Sequence, residues 1–100
     1  LKPYAILHSH FREVLLLDAD NVPVRDPSFL FATAPFQQTG ALFWPDQGRD
    51  PRSATIWRSC DLPVPCEPEF ESGQLVVDKT RCAPALRLAL WFNEQSDFYY

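Results

Sequence analysis

Two aspartates separated by one alanine, Asp18 and Asp20, directly follow the apolar run EVLLL at residues 13–17. A carboxylate at the end of a hydrophobic strand is poorly solvated and is repelled by its neighbour, so it needs a proton, a cation or hydrogen-bond donors. Paired oxygen donors suit Mg²⁺ or Mn²⁺, and a bound diphosphate supplies further oxygens. The pair therefore predicts a metal that stabilises negative charge on a leaving diphosphate.

The same two aspartates are compatible with a second chemistry. One would act as a covalent nucleophile and the other as a general acid, as in phosphatases. The stretch LLLDADNV fits the short pattern of haloacid-dehalogenase-like phosphatases, in which the motif follows the first strand of the domain. Here KPYAILHSHFREV precedes it and supplies a helix and then a strand, a lead-in typical of nucleotide-sugar transferases. A solvated turn, or a non-catalytic sugar-binding module, stays open as a third interpretation.

The elements that must position these aspartates alternate along the chain. Unbroken apolar runs predict strands at 13–17, 40–44 and 74–78, the first of them buried on both faces as in a parallel sheet. Helices are expected over 2–10, after the Asp26 cap, near Ser53, and from a Thr80 cap to about Asn93. Residues 85–92 are apolar nearly all round, so the last helix should be buried.

This alternation predicts an α/β chain with a mostly parallel sheet. Ligands in such sheets bind at the carboxyl ends of strands. Asp18 and Asp20 lie at such an end, and we expect the loop EFESG at residues 69–73 to lie beside them if the third strand neighbours the first.

The length and composition of the chain limit the classes of protein to which it can belong. The chain has 100 residues, the length of one small domain, and a net charge of −4 without a basic run, which argues against nucleic acid as a partner. It has no apolar stretch long enough to span a membrane and begins with Leu1, so we expect a mature fragment or an excerpt from a longer protein.

The three cysteines do not form a zinc motif, because no CxxC pair is present. Cys60 and Cys66 flank DLPVP, and in an oxidising compartment we expect a disulfide that closes this short loop. Buried free thiols are an equally compatible alternative, and Cys82 would be left free or paired outside this segment.

Taken together, the motifs resemble one family, the fungal-type Golgi alpha-mannosyltransferases of glycosyltransferase family 71. The stretches that carry the resemblance occur in the family's order and cover most of residues 2–100: KPYAILHSHFREVLLLDADNVPVRDPSFLF, TGALFWPD, CEPEFESGQLVVDK and ALRLALWFNEQSDFYY. The resemblance implies a GT-A fold, which is Rossmann-like, with residues 1–100 as the central part of the catalytic domain. It also implies a Golgi-lumenal type II membrane enzyme, whose anchor and remaining ligands, often including a histidine, lie outside this segment.

The activity that the resemblance implies is transfer of mannose from GDP-mannose to a mannose hydroxyl of a glycan, in alpha-1,2 or alpha-1,3 linkage, with Mn²⁺ or Mg²⁺ as cofactor. Asp18 and Asp20 match the family's DxD motif as ligands of the metal and the diphosphate. Lys2 matches a lysine near the diphosphate. The donor is alpha-linked, so an alpha product means retention, and a double displacement would need a carboxylate close to the sugar.

The remaining site residues follow from two further matches. Trp44 and Asp46 belong to a WPD stretch where a sugar could stack and hydrogen-bond, with core packing of Trp44 as the alternative. Glu69, Glu71, Ser72 and Gly73 match an ExESG loop, whose carboxylates would hold mannose hydroxyls or assist the reaction. Glu71 is the expected catalytic carboxylate, with Glu69 beside it. Asp78 and Lys79 are expected to pair with each other at the end of the third strand.

Overall fold

The computed structural model describes residues 1–46 and 55–99. Its five helices are named α1 to α5 and its three strands β1 to β3, and a 3₁₀ helix lies at Pro27–Ala32. In chain order the elements are α1 (Lys2–His8), β1 (Glu13–Leu17), the 3₁₀ helix, α2 (Ala34–Thr39), β2 (Ala41–Leu42), α3 (Ile56–Ser59), β3 (Gln74–Asp78), α4 (Lys79–Glu94) and α5 (Ser96–Tyr99). The predicted bounds of β1 and β3 are confirmed, and the predicted helix near Ser53 begins outside the described residues.

The three strands form one sheet in the order β1-β3-β2, and β3 pairs antiparallel with both neighbours. The expectation of a mostly parallel sheet is therefore wrong for the described residues. The prediction from alternating strands and helices assumes that each helix returns the chain to the same end of the sheet, so that the next strand is parallel to the last. Here β1 and β2 run in the same direction, but β3 lies between them and runs against both.

The antiparallel pairing decides which loops meet. Leu17, the last residue of β1, pairs with Gln74, the first residue of β3. The loop before β3 and the residues after β1 consequently lie at the same edge of the sheet. The predicted proximity of the two segments is confirmed, although in a parallel sheet a loop that precedes its strand would lie at the opposite edge.

The hydrophobic core lies between one face of the sheet and the helices α1 and α4. Ile6, Val77 and Leu86 form its buried centre. Val14 and Leu16 pack against it because alternate residues of β1 point to the same face. Only this face of β1 enters the core, so the strand is half-buried. The prediction that both faces of β1 are buried is therefore wrong.

Helix α4 begins two residues earlier than its predicted cap at Thr80 implies, and it is less buried than predicted. The Asp78 carboxylate, and not Thr80, caps it, accepting from the backbone amide of Thr80 at 2.9 Å. Leu86 is its buried residue, whereas the exposed fractions of Leu88 and Trp91 are 55% and 44%. One side of α4 packs against α1 and the sheet, and the opposite apolar side remains open to solvent.

The ion pair expected between Asp78 and Lys79 does not form. Asp78 instead pairs with Arg12 at 3.2 Å, and the Lys79 ammonium donates to the carbonyl and hydroxyl oxygens of Ser9. Both contacts fasten the segment before β1 to the start of α4.

Strand β2 is shorter than the predicted run of residues 40–44. Gly40 ends α2 in a left-handed conformation with φ of 77°, so β2 begins only at Ala41. Beyond Leu42 the chain stays beside the loop that precedes β3, through an antiparallel bridge between Pro45 and Phe70.

All three cysteines are free thiols, so the expected disulfide between Cys60 and Cys66 is not formed in this structure. Backbone hydrogen bonds close the turn after α3 instead, with Leu62 donating to Trp57 at 2.9 Å. Among the described residues, no helix is both long enough and apolar enough to cross a bilayer.

Candidate functional site

The two aspartates lie in a tight turn at the end of β1. The amide of Asn21 donates to the carbonyl oxygen of Asp18 at 3.0 Å, and the amide of Asp18 donates to the carbonyl oxygen of Gly73 at 2.8 Å. The second bond continues the antiparallel ladder by one step, because Leu17 and Gln74 pair just before it. The turn, and not strand alternation, therefore sets the directions of Asp18 and Asp20.

Lys2 joins this turn to the loop before β3. Its ammonium lies 2.9 Å from Oδ2 of Asp18 and also donates to the carbonyl oxygen of Ser72 at 2.7 Å and to the Ser72 hydroxyl at 3.1 Å. The Lys2 and Asp18 side chains are 38% and 37% exposed, so the ion pair is accessible to solvent and to ligands. The Lys2 ammonium thus supplies the positive charge that the sequence predicts next to the Asp18 carboxylate.

Gly73 sits where Asn21 and Glu71 converge. Its amide donates to Oε2 of Glu71 at 3.0 Å, and its carbonyl oxygen accepts from the Asn21 side chain at 2.6 Å. A Cβ atom at position 73 would lie 2.9 Å from Oε2 of Glu71 and 3.1 Å from Nδ2 of Asn21. Only glycine lets these two side chains approach the backbone so closely.

The second carboxylate oxygen of Glu71, Oε1, is buried and has no hydrogen-bond partner among the described residues. A buried acceptor without a donor is costly, and it calls for an explanation such as a catalytic role or a bound water, ion or ligand group. One oxygen of Glu71 is therefore held by the loop, and the other has acceptor capacity that the described residues do not use.

A polar cavity of about 520 Å³ lies beside this carboxylate. Two antiparallel loop segments form one side of it: Glu71 donates its amide to the Trp44 carbonyl at 2.9 Å, and Asp46 donates its amide to the Glu69 carbonyl at 2.6 Å. The residues around the cavity are Asn21, Trp44, Pro45, Asp46, Glu71 and Gln74. An indole face with carboxylates and amides around it is the composition of a sugar-binding pocket.

A second, mainly apolar cavity of about 600 Å³ shares Asn21, Trp44 and Gln74 with the polar one. Asp20 lines this cavity, among apolar residues that include Val22, Val24 and Phe29. Trp44 therefore borders both cavities and is only partly buried.

The structure gathers most of the predicted site residues at one edge of the sheet. Lys2, Asp18, Ser72 and Gly73 form one hydrogen-bonded cluster, and Trp44, Asp46 and Glu71 surround the polar cavity next to it. Glu69 contributes its backbone to the loop pair and is not among the residues that line the cavity. Sequence analysis missed Asn21 and Gln74, although Asn21 directly follows the two aspartates and Gln74 is the one polar residue at the start of β3.

The donor set at this edge suits a hard divalent cation. Within residues 1–46 and 55–99, no group of three or more histidine, cysteine, aspartate or glutamate side chains is placed to hold a metal ion. Asp18 and Asp20 each carry a carboxylate, and oxygen donors of this kind are the ones that Mg²⁺ and Mn²⁺ take in proteins, beside water and phosphate oxygens.

Comparison with known proteins identifies a consistent set of relatives. A mannosyltransferase family model, Mannosyl_trans3, matches residues 1–60. Alpha-1,2-mannosyltransferase MNN24 of Candida albicans is 31% identical over 135 residues, which cover 100% of this chain and 19% of that protein. Alpha-1,2-mannosyltransferase MNN21 of the same organism is 28% identical over 138 residues, covering 99% of this chain and 21% of that protein.

A third relative, alpha-1,2-mannosyltransferase MNN2 of Saccharomyces cerevisiae, is 31% identical over 80 residues, which cover 80% of this chain and 11% of that protein. The chain thus spans about a fifth or less of the length of these curated relatives. No solved structure matches the chain.

Proposed function

The chain belongs to the mannosyltransferase family, and from this premise we propose that it forms the part of an alpha-mannosyltransferase that holds the donor's diphosphate and sugar. The donor is GDP-mannose, and the acceptor is a mannose hydroxyl of a glycan. Since the three relatives described above are named alpha-1,2-mannosyltransferases, alpha-1,2 is the proposed linkage. Membership of this family supports sugar transfer, and not hydrolysis of a phosphate ester, as the reaction in which Asp18 takes part.

One observation carries the proposal. The acidic turn after β1 and the loop before β3 meet at one edge, beside a cavity into which the site presents a tryptophan and acidic side chains. A diphosphate-bound sugar needs a cationic or metal-binding group for its phosphates next to a pocket with acceptors for its hydroxyls. The cluster of Lys2 and Asp18 lies next to such a pocket, with Gly73 and Asn21 between them.

Asp18 and Asp20 would hold Mn²⁺ or Mg²⁺ together with the donor diphosphate. A bound divalent ion supplies Lewis-acid stabilisation of the negative charge that develops on the leaving GDP. Lys2, with its positive charge at the same edge, contributes in the same direction when it contacts the diphosphate.

Glu71 would hold the mannose. Its unpartnered Oε1 would accept a hydrogen bond from a sugar hydroxyl, while Oε2 stays fixed by the amide of Gly73. Trp44 offers an apolar face against which the sugar ring stacks, and Asp46 offers a further acceptor. Because an alpha-linked product from an alpha-linked donor requires retention, Glu71 is the carboxylate we assign to the reacting face of the sugar.

The proposed setting is the lumen of the Golgi, in a membrane-anchored enzyme with a GT-A catalytic domain to which residues 1–100 contribute the central part. The family supports this setting. The antiparallel β3 between two parallel strands is compatible with such a domain, in which further strands would extend the sheet beyond β1 or β2.

The test is GDP binding by the complete protein, measured by calorimetry with Mn²⁺, with a chelator, and with Mn²⁺ restored. We expect the affinity to fall at least tenfold on chelation and to recover with Mn²⁺. Asp20→Asn should weaken Mn²⁺-dependent GDP binding and mannosyl transfer together without lowering the melting temperature, since a like-charge repulsion is removed. Ser96→Ala, at the distant start of α5, is the control.

Three results would contradict the proposal in different ways. Binding of GDP that is indifferent to chelation would remove the role of the aspartates. A phosphate trapped covalently on Asp18 after incubation with a phosphate ester would restore the phosphatase interpretation. GDP binding without any transfer to mannosides would indicate the non-catalytic alternative.

A further inference from the structure

We propose that Lys2 is a tethered cation that competes with the divalent metal for Asp18, so that metal binding requires Lys2 to leave the carboxylate. This inference rests on the proposed function, because it concerns the metal that the aspartates would hold. Lys2 is a positioning residue in this scheme, since it controls whether Asp18 is available.

The Lys2 ammonium is held in a defined position by its hydrogen bonds. It makes three hydrogen bonds between 2.7 and 3.1 Å, to Asp18 and to both oxygens of Ser72. A lysine ammonium has three donors, and here all three have acceptors. A solvated surface lysine would not be held by two segments that are 16 and 70 residues away in sequence.

The position of Lys2 in α1 is electrostatically unfavourable for the helix itself. It is the first residue of α1, whose first turn has no acidic residue and whose start has no side-chain cap. A positive charge near a helix N-terminus opposes the helix dipole. The ion pair with Asp18 offsets this cost, which indicates that the site, and not the helix, determines the lysine at this position.

The ion pair is also reversible. Both side chains are more than one-third exposed, so the ammonium can leave Asp18 without exposing a buried charge. A divalent ion that approaches the turn meets one carboxylate that is already neutralised. When Lys2 is released, its long flexible stem leaves the charge free to meet the diphosphate. The lysine would thereby couple arrival of the metal to recognition of the donor.

The first experiment measures Mn²⁺ binding to the complete protein without nucleotide, by electron paramagnetic resonance of the free ion. Lys2→Met removes the charge and keeps an apolar stem, and we expect Mn²⁺ to bind about tenfold more tightly. Lys2→Arg retains the charge and should bind Mn²⁺ like the parent. Arg87→Met, which removes a positive charge from the exposed side of α4, is the matched control and should change nothing.

The second experiment reads the position of the ammonium directly. Lys2 and Lys79 are the two lysines of the chain, so acetylation by acetic anhydride, followed by mass spectrometry, compares them in one sample. We expect Mn²⁺ to increase the acetylation rate of Lys2 several-fold, because the metal releases its ammonium. The rate for Lys79, which is bound to Ser9, should stay constant.

The outcomes separate this inference from the proposed function. If Lys2→Met binds Mn²⁺ no more tightly than the parent, or if Mn²⁺ leaves the acetylation of Lys2 unchanged, the competition is refuted while Mn²⁺-dependent GDP binding still stands. If neither the parent nor Lys2→Met binds Mn²⁺ without nucleotide, the competition is refuted, and the chelator titration of GDP binding then decides separately whether transfer depends on the metal. Tighter binding to Lys2→Met together with faster acetylation of Lys2 in the parent would establish the competition.

Discussion

The side-chain amide of Asn21 donates a hydrogen bond of 2.6 Å to the carbonyl oxygen of Gly73, 52 residues away in sequence. The same oxygen accepts from the backbone amide of Asp18 at 2.8 Å. One carbonyl therefore fastens the acidic turn to the loop that presents Glu71. Asn21 also lines both cavities, so it connects the part of the site proposed for the diphosphate with the part proposed for the sugar.

Replacing Asn21 by alanine should loosen this connection. We expect Asn21→Ala to lower the free energy of unfolding by about 1 kcal/mol, the typical contribution of one hydrogen bond, and to lower mannosyl transfer by a larger factor than this stability loss explains. Urea unfolding and transfer rates measured on the same preparation check both effects. Asn93→Ala is the control, because Asn93 donates within one exposed turn of α4 and lies outside the site. Unchanged transfer in Asn21→Ala would contradict the role assigned to it.

Alanine at Gly73 and alanine at Gly40 should differ in their effect on transfer. At Gly73 the new methyl group meets the side-chain ends of Glu71 and Asn21, which can move aside only by leaving their positions in the site and giving up their hydrogen bonds to Gly73. At Gly40 the backbone has a φ of 77° and the methyl group meets Arg81 at 3.1 Å, far from the acidic turn. A non-glycine residue in this left-handed conformation costs about 1 kcal/mol.

Gly73→Ala should therefore lose transfer together with about 1 kcal/mol of stability, the typical contribution of one hydrogen bond, whereas Gly40→Ala should lose stability and keep transfer at low temperature. Thermal unfolding and transfer assays on both variants provide the comparison, and each variant is the control for the other. The same loss of stability in both, with transfer intact, would show that Gly73 is needed only for the backbone.

Glu71→Gln tests the carboxylate with almost no change of shape. The glutamine oxygen can still accept from the Gly73 amide, so the loop should stay in place. The buried second position would carry an NH₂ donor in place of Oε1, and it would no longer accept from a sugar hydroxyl. We expect GDP binding close to that of the parent and a transfer rate at least 100-fold lower, as for loss of a group that acts in the transition state. Glu94→Gln, on the exposed end of α4, is the matched control.

Sequence reasoning succeeded where local pattern determines structure. The apolar runs EVLLL and QLVVD identified β1 and β3 to the residue, and the Asp26 side chain caps the 3₁₀ helix by accepting from Ser28 as its position before proline predicted. The expectation that the turn with Asp18 and Asp20 lies beside the acidic loop with Glu71 is also confirmed, because the two segments meet at one edge of the sheet. These signals depend on neighbours in sequence, which a single chain displays.

Long-range contacts were not predictable in the same way. Nothing local to QLVVD states that β3 runs against β1, yet that direction is what places Gly73 opposite Asp18. The role of Asn21 depends on a partner 52 residues away, and an asparagine in a turn looks the same without it. The apolar sequence of α4 suggested that the whole helix is buried. Which sides of the helix are buried, however, depends on the elements that pack against it, and the sequence of α4 does not show those.

The ion pair of Arg12 and Asp78 should make the stability of the fold sensitive to acid. Asp78 is only 4% exposed and accepts from Arg12 and from the backbone amides of Thr80 and Arg81 at the start of α4. The hydrogen bond from Arg12 is the main cause that lowers the pKa of Asp78, and the helix amides lower it further against the opposing effect of burial. The same contact raises the pKa of Arg12.

Because the pKa of Asp78 is lower in the folded than in the unfolded chain, its contribution to stability is fully present above the unfolded value of about 4. That contribution is lost as the pH falls through the folded value. We expect the free energy of unfolding to fall between about pH 6 and about pH 3, and to fall most in the parent. The decrease should be smaller in Arg12→Gln, because Asp78 still accepts from the helix amides. It should be smallest in Asp78→Asn, because no carboxylate is left at this position. Urea unfolding at the two pH values measures the three differences.

Asp78→Asn should also be the least stable of the three proteins near neutral pH, since it loses the negative charge that binds Arg12 and caps the start of α4. An acid response of Asp78→Asn as large as that of the parent would assign the effect to other carboxylates.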